Sequence, residues 1–337
     1  MRGQGSRGHT FGRGSPTTRP LALALAALVL ASCGLVPGGG GEAYPARPIS
    51  FVVGFAPGGG ADVMARELSE AAAGTIPQAL QVENRPGAGG TTASAYVKER
   101  PADGYTILFG HAGSTILTPV IGNTPDLTWS NFEPVARIHG EDEILFLRSD
   151  SEWETIDEVI EFAKANPGRL RVGGSAVGGI DSFVILVLEE EAGIDVTYVP
   201  YDGGGAATRA FLAGDVDVLV GNISDNAANI DANTIFAVAV ASEERSPAFP
   251  EAPTLKEKGW DVVFIQWRSV FAPKGTPADR LRILADGFRR ALDSASWTDF
   301  RETSRSVDLF LGPDEFRAFL ESEEERFTAI IDDLGLR

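Results

Sequence analysis

The sequence predicts an α/β protein of two lobes hinged across a cleft, each lobe a sheet flanked by helices. Three observations carry this. Short apolar runs alternate with helix-forming segments along most of the chain. Four turns from strand to helix hold far more glycine than a turn needs, two in each half. One or two strands at 132–147 and an apolar strand at 235–241 stand where the chain would cross between lobes and return.

The first 32 residues read as a leader. Arg2, Arg7, Arg13 and Arg19 precede an apolar run at 21–31 with no acidic residue. That run falls short of the roughly 20 residues a bilayer span needs and suits a signal-peptide core. It ends in Leu30-Ala31-Ser32-Cys33, which resembles a bacterial lipobox; that resemblance makes Cys33 the lipidated first residue of the mature chain. Cys33 is the only cysteine, so no disulfide forms within the chain. Residues 33–43, with four glycines in a row, read as a flexible tether.

Removing 32 of the 337 residues leaves 305, enough for two ordinary domains. The formal charge of −18 becomes −22 once the four leader arginines are gone. So acidic a chain is not expected to bind nucleic acid, or anionic lipid by bulk electrostatics. A hydrophobic content of 43% supports a real core.

The organising stretch is Ile49-Ser50-Phe51-Val52-Val53-Gly54-Phe55-Ala56-Pro57-Gly58-Gly59-Gly60-Ala61-Asp62. A β-rich run at 49–55 ends in glycines and enters a helix at 61–73. Such a turn leaves backbone N–H groups at the positive end of a helix, a ready anion site. A strand at 79–83 then leads through Asn84-Arg85-Pro86-Gly87-Ala88-Gly89-Gly90 into a helix at 92–99. A third strand follows at 105–110. This βαβαβ run implies a parallel sheet with ligand chemistry at the strands' C-terminal ends.

After the run at 132–147, a helix at 155–165 starts at Thr155 and stops at Asn166-Pro167-Gly168. The second lobe repeats the pattern. A strand at 170–172 enters Gly173-Gly174-Ser175-Ala176-Val177-Gly178-Gly179 and a helix at 181–192. A strand at 196–200 enters Tyr201-Asp202-Gly203-Gly204-Gly205 and a helix at 206–213; the strand at 216–220 ends at Gly221-Asn222. Strands at 235–241 and 264–272 follow, and the remainder reads as helical, 278–295 and 313–333. The expected division is lobe 1 at 44–142 and 243–337, lobe 2 at 143–242.

Each glycine-rich turn is expected to touch ligand. Asp62 and Asp181 read as first-turn acids of their helices, or as groups facing the cleft. Ser175 stands in a glycine turn, but G-x-S-x-G needs glycine where Val177 lies, so a nucleophile elbow is not formed. No run completes a dinucleotide fingerprint or a P-loop, so no cofactor is expected. Beyond the leader the only histidines are His111 and His139, and no metal-ligand cluster emerges. Arg268 lies inside an apolar strand and needs a partner there, either a structural carboxylate or a ligand's. Asn222 ends a strand and serves a cleft or caps a turn. Arg85 reads as structural or at the rim, the acidic stretch 321–325 as a solvated helix face. Trp129, Trp153, Trp260 and Trp297 read as packing residues.

Several motifs occur in order: Tyr44-Pro45-Ala46-Arg47-Pro48-Ile49, Pro57-Gly58-Gly59-Gly60-Ala61-Asp62, Val82-Glu83-Asn84-Arg85-Pro86-Gly87-Ala88-Gly89-Gly90 and Asp103-Gly104-Tyr105-Thr106-Ile107-Leu108. Then come Val199-Pro200-Tyr201, Arg245-Ser246-Pro247-Ala248-Phe249-Pro250 with Pro253-Thr254, and Phe271-Ala272-Pro273-Lys274-Gly275-Thr276-Pro277. The set resembles the Bug family, the substrate-binding receptors of tripartite tricarboxylate transporters. The resemblance implies a two-lobed periplasmic-binding-protein fold of the second class, closing on a small organic carboxylate. It implies ligand contacts from Phe55, Pro57, Gly58, Gly59, His111, Ala112, Ser175, Gly179 and Asn222. Many relatives have Asp where Gly221 stands, and Ser or Thr within Val177-Gly178-Gly179-Ile180. These departures point away from an amino-acid ligand. Trp267-Arg268 is similar to the tricarboxylate-binding members and favours a di- or tricarboxylate.

The expectation is therefore a lipid-anchored extracytoplasmic receptor, monomeric and without enzymatic activity. It hands a carboxylate to membrane permease subunits. The competing readings are a sensor module for a signalling partner and a serine hydrolase using Ser175.

Overall fold

The computed structural model describes residues 44–335 apart from Asn123 and Arg305. The expected leader, Cys33 and the tether lie outside the described residues.

The chain opens with β1 (Ile49–Val53), α1 (Gly60–Ala72), β2 (Leu80–Asn84), α2 (Thr91–Lys98) and β3 (Thr106–His111). A wide helical turn at Gly113–Leu117 and α3 (Thr118–Ile121) lead to β4 (Phe132–Asp142) and β5 (Ile144–Arg148). Then come α4 (Ile156–Ala165), β6 (Arg171–Gly174), α5 (Ile180–Ala192), β7 (Thr197–Pro200), α6 (Gly204–Ala213) and β8 (Val218–Gly221). The chain finishes with α7 (Ile223–Asp231), β9 (Ile235–Val240), β10 (Ile265–Pro273), α8 (Ala278–Ala291), α9 (Ala295–Ser304), β11 (Val307–Leu311) and α10 (Pro313–Asp333).

Two sheets result. One has six strands in the order β11-β4-β10-β3-β1-β2, the other five in the order β7-β6-β8-β5-β9. β1 pairs in parallel with β2 and β3, as the βαβαβ run predicts. β10, inserted between β3 and β4, makes the far half of this sheet antiparallel. The crossing within 132–147 falls at Glu143, the single residue between β4 and β5. β9 pairs with β5 in the second sheet, so the return to the first sheet comes after it. The two crossing points lie side by side. Ala241 N–H donates to Glu143 O at 2.8 Å, and Phe264 N–H to Ala241 O at 2.8 Å.

Local chemistry explains several of these elements. α1 buries Met64, Ala65, Leu68, Ala71 and Ala72 along one stripe, the spacing of an amphipathic helix. α4 starts at Thr155, whose hydroxyl accepts the Glu158 N–H while the Glu158 carboxylate accepts the Thr155 N–H. On β10, Trp267 points into α10, with its ring edge-on to Phe316 and Phe319. Gln266 and Arg268 therefore point the other way. A register shift between Arg268 and Ser269 bends the strand where Arg268 emerges, as bulges beside sites do.

Three expectations are corrected here. The stretch read as one helix at 278–295 breaks after Ala291, and α9 and β11 follow; Ser294 Oγ accepts the Trp297 N–H at the start of α9. α7 was not anticipated, although Asn222 before it and Asp225 in its first turn are ordinary helix-start residues. The acidic stretch 321–325 is more than a solvated face: Glu323 accepts the indole N–H of Trp267 at 3.1 Å, and Glu324 that of Trp129 at 3.0 Å. Trp129 and Trp297 are core residues, as read from the sequence. Arg85 stacks over Tyr96 and pairs with Glu83, a structural role.

Candidate functional site

One small cavity opens where the glycine-rich turns of the two sheets meet. Its free volume is about 120 Å³. That is well below the roughly 300–1,000 Å³ of drug-sized sites, so its ligand is small. The first-sheet wall brings Phe55, Pro57, Gly58, Gly59, Gly60, His111, Gln266 and Arg268. The second-sheet wall brings Ser175, Asp181, Asp202, Gly203, Gly204, Gly205, Arg209, Asn222 and Asp225. Of the residues singled out from sequence, Ala112 and Gly179 do not line it; both are buried behind it.

The first glycine turn is braced from within. Asp62 accepts the Gly58 N–H at 2.9 Å, the Arg66 guanidinium at 3.0 Å and the Asn84 amide at 2.9 Å. Burial alone would raise the Asp62 carboxyl; these donors outweigh it and hold it below its usual value. Asp62 thus faces its own loop and is not a lining group. Gly59 N–H points at Ala56 O, 3.4 Å away, and Gly60 N–H donates to Asp225 at 2.7 Å. The amides expected to lie uncovered at this turn are therefore already engaged, and the partner of Gly60 comes from the opposite wall.

The second turn, 84–90, does not reach the cavity. Its glycines serve close packing: a side chain on Gly90 would meet Ser114 Cβ at 2.8 Å, and Gly90 adopts φ +95°. The turn expected to touch ligand is therefore not among the residues lining this cavity. The third turn contributes Ser175. Its N–H donates to Asp181 at 2.7 Å, and its carbonyl accepts from Tyr198 at 2.6 Å. Neither His111 ring nitrogen has a hydrogen-bond partner, so Ser175 and His111 form no nucleophile–base pair. Asn222 is committed through its amide nitrogen, to Asp142 O at 3.0 Å and Glu143 Oε1 at 3.1 Å.

The deep end is polar and under-partnered. Arg268 and His111 are 5% and 4% exposed, and Gln266 is 4% exposed. Arg268 Nε, both His111 nitrogens and Gln266 Oε1 lack hydrogen-bond partners. The closest anion to Arg268 is Glu141, at 3.9 Å. Burial would raise Glu141, but the neighbouring His139 ring, Arg268 and the Ser224 hydroxyl hold it low. Burial, with Arg268 adding to it, pushes His111 well below the usual histidine value, so its ring is neutral. Burial also raises three carboxyls: Asp181, Glu143 and Asp225, the last to about 6.

Sequence reasoning missed Gln266, Asp225 and Arg209. Asp225 carried a signal in its position three residues after Asn222, in the first turn of a helix. Among the described residues no group of His, Cys, Asp and Glu could hold a metal ion. Nor is any described helix long and apolar enough to cross a membrane.

Comparison with known proteins places this geometry. BugT of Bordetella pertussis is 28% identical over 318 residues, covering 94% of this chain and 98% of BugT. The structure of periplasmic binding protein BugD superposes with a TM-score of 0.79 at 26% identity, covering 87% of this chain and 99% of BugD. MatC from Rhodopseudomonas palustris, solved with bound malate, superposes with a TM-score of 0.78 at 27% identity, covering 86% and 100%. The profile of one family, described as the tripartite tricarboxylate transporter family receptor, matches residues 64–336. The chain belongs to that receptor family and has the fold of a periplasmic binding protein.

Proposed function

We propose that the protein is an extracytoplasmic receptor that captures a small organic carboxylate and delivers it to membrane permease subunits. The observation that carries this is Arg268. It is a guanidinium buried at the bottom of the cavity, with its Nε unpartnered and its nearest anion at 3.9 Å. A buried guanidinium whose only ion-pair contact among the described residues is the long one to Glu141, with no hydrogen bond at Nε, is under-satisfied, and a ligand carboxylate supplies a closer charge and an acceptor together. A di- or tricarboxylate, with one carboxylate on Arg268 and another towards the glycine turns, is the favoured class. The malate in MatC supports the same class.

In this reading residues 44–142 and 243–337 form one lobe and 143–242 the other, hinged at Glu143 and Ala241. The ligand contacts both walls and favours the closed state, whose shape the permease reads. No chemistry is done on the ligand. Cys33 carries the lipid that holds the receptor at the membrane, and the receptor works as a monomer.

The test is thermal unfolding of the purified protein against a panel of organic acids and amino acids. A ligand that binds only the folded state raises the midpoint. A rise with C4 or citrate-like acids that disappears in Arg268→Ala supports the reading. No rise with any carboxylate sinks it.

A further inference from the structure

Asp225 joins the two walls of the cavity. It lies in the first turn of α7, and its Oδ1 accepts the Gly60 N–H of α1 across the cleft at 2.7 Å. On its own wall, a side chain at Gly204 would overlap the carboxylate. The carboxylate thus sits between the starts of α1, of 13 residues, and α6, of 10 residues. Helix starts favour an anion, and this anion is the protein's own.

We propose that a carboxylate ligand binds with uptake of one proton at Asp225, so that the receptor holds its ligand more tightly as pH falls. This rests on the carboxylate reading above. A ligand anion must share a cavity of about 120 Å³ with Asp225 and Asp181. Like charges confined so closely cannot both stay ionised at low cost.

The groups around Asp225 do not compensate a second anion. From β10, Arg268 attracts it; from β4 Glu141 and from α5 Asp181 repel it. The remaining charged or titratable lining groups are Arg209 of α6, Asp202 before it, and His111 of β3, whose ring is neutral. Arg268 is the one buried cation lining the cavity, and Glu141 already draws on it. Burial has brought the Asp225 carboxyl to about 6, against the Gly60 hydrogen bond and Arg268. A ligand carboxylate adds repulsion and raises it further. A group that binds its proton more tightly in the complex takes one up on binding. Affinity then weakens by about tenfold per pH unit between the free and bound values.

The experiment measures malate affinity by calorimetry from pH 6.5 to 8.5, where the ligand's carboxylates stay ionised, for wild type and the near-isosteric Asp225→Asn. Adipate, citrate and acetate serve as parallel probes. Wild-type affinity is expected to fall about tenfold per pH unit, up to roughly a hundredfold across the window. The variant is expected to bind with no pH dependence and more tightly than wild type at pH 8.5. Titration of wild type in two buffers of different ionisation enthalpy gives the proton count directly, so the result does not depend on the variant's folding. Uptake approaching one proton at pH 7.5 supports the proposal. A flat wild-type profile with no uptake overturns it. So does weaker binding by Asp225→Asn at pH 8.5, which would mean that the charged carboxylate helps hold the ligand. If neither protein binds any of the four acids at any pH, the carboxylate reading falls and takes this proposal with it.

Discussion

Arg268 of β10 stands directly opposite His111 of β3 in antiparallel register, and both side chains end in the cavity with unpaired nitrogens. Each buried polar group without a partner costs roughly 1–3 kcal/mol. A fold that places two of them side by side keeps a polar site ready rather than a settled core. In the proposed receptor, a ligand that partners these nitrogens recovers that cost as affinity.

Arg268→Gln should therefore weaken carboxylate binding by about 1.5–3 kcal/mol, the range of hydrogen bonds to charged groups. Arg268→Lys should not restore it, because an ammonium cannot reproduce the fork that meets a carboxylate with two N–H groups. Calorimetric titration of the acid with the largest thermal effect checks both. Wild-type affinity in the glutamine variant would remove Arg268 from the site.

Gly60→Ala tests the contact between the two walls. The position avoids the left-handed region, so alanine fits the first turn of α1. Its Cβ, however, would lie 2.8 Å from Asp225 Oδ1 and 3.1 Å from Ser224 Oγ, both on the opposite wall. The expected result is a somewhat lowered unfolding midpoint, as the contact between Gly60 and Asp225 loosens, with at least about tenfold weaker ligand binding, or about 1.4 kcal/mol. Gly58→Ala should lower stability and leave binding intact. Gly58 has φ +81° with open space around it, so alanine there costs about 1–2 kcal/mol of stability without blocking the walls.

Asp62 and Glu143 should respond oppositely to neutral isosteres. Donors to Asp62 hold its carboxyl low. Its stabilising contribution is present above the unfolded value and is lost as pH falls through the lower folded one. Asp62→Asn is expected to cost about 1–3 kcal/mol at pH 7 and nearly nothing under acid conditions. Glu143 is fully buried; burial first, then repulsion from Asp181, raises it well above the usual carboxylate range. Because burial and Asp181 favour its neutral form, it should tolerate Glu143→Gln within about 1 kcal/mol. Denaturant unfolding at pH 7 and pH 4 checks the pair.

Much of the fold was legible because its signals are local. A glycine turn between an apolar run and a helix can be read within fifteen residues, and three of the four such turns do line the cavity. Position 84–90 misled because glycine serves close packing as readily as ligand contact, and only the neighbours Gly54 and Ser114 distinguish the two. Arg268 was legible as an oddity in an apolar strand, but not its company. His111, Gln266 and Glu141 meet it because β10 inserts between β3 and β4, a pairing that local periodicity does not encode. Asp225 was hidden for the same reason: its partner Gly60 lies on the other wall, far away in the chain.

Asp225 should also leave its mark on stability without any ligand. Its carboxyl titrates at about 6 in the folded protein, against an ordinary 3.8 when unfolded. Between those values the folded state holds more protons than the unfolded one, so the unfolding free energy falls as pH rises from about 4 to about 6. Above that window the loss is complete and the contribution is flat. Full burial of the shift corresponds to roughly 3 kcal/mol; the side chain keeps some exposure, so about 1–3 kcal/mol is expected. Asp225→Asn removes this slope and should gain on wild type as pH rises through the window. The measurement is denaturant unfolding of both proteins between pH 4 and 7 in the absence of organic acids. Parallel profiles would mean that Asp225 ionises in the cleft as freely as in the unfolded chain. Two helix starts and Arg268 would then suffice for its charge, and a ligand anion could enter beside it without a proton.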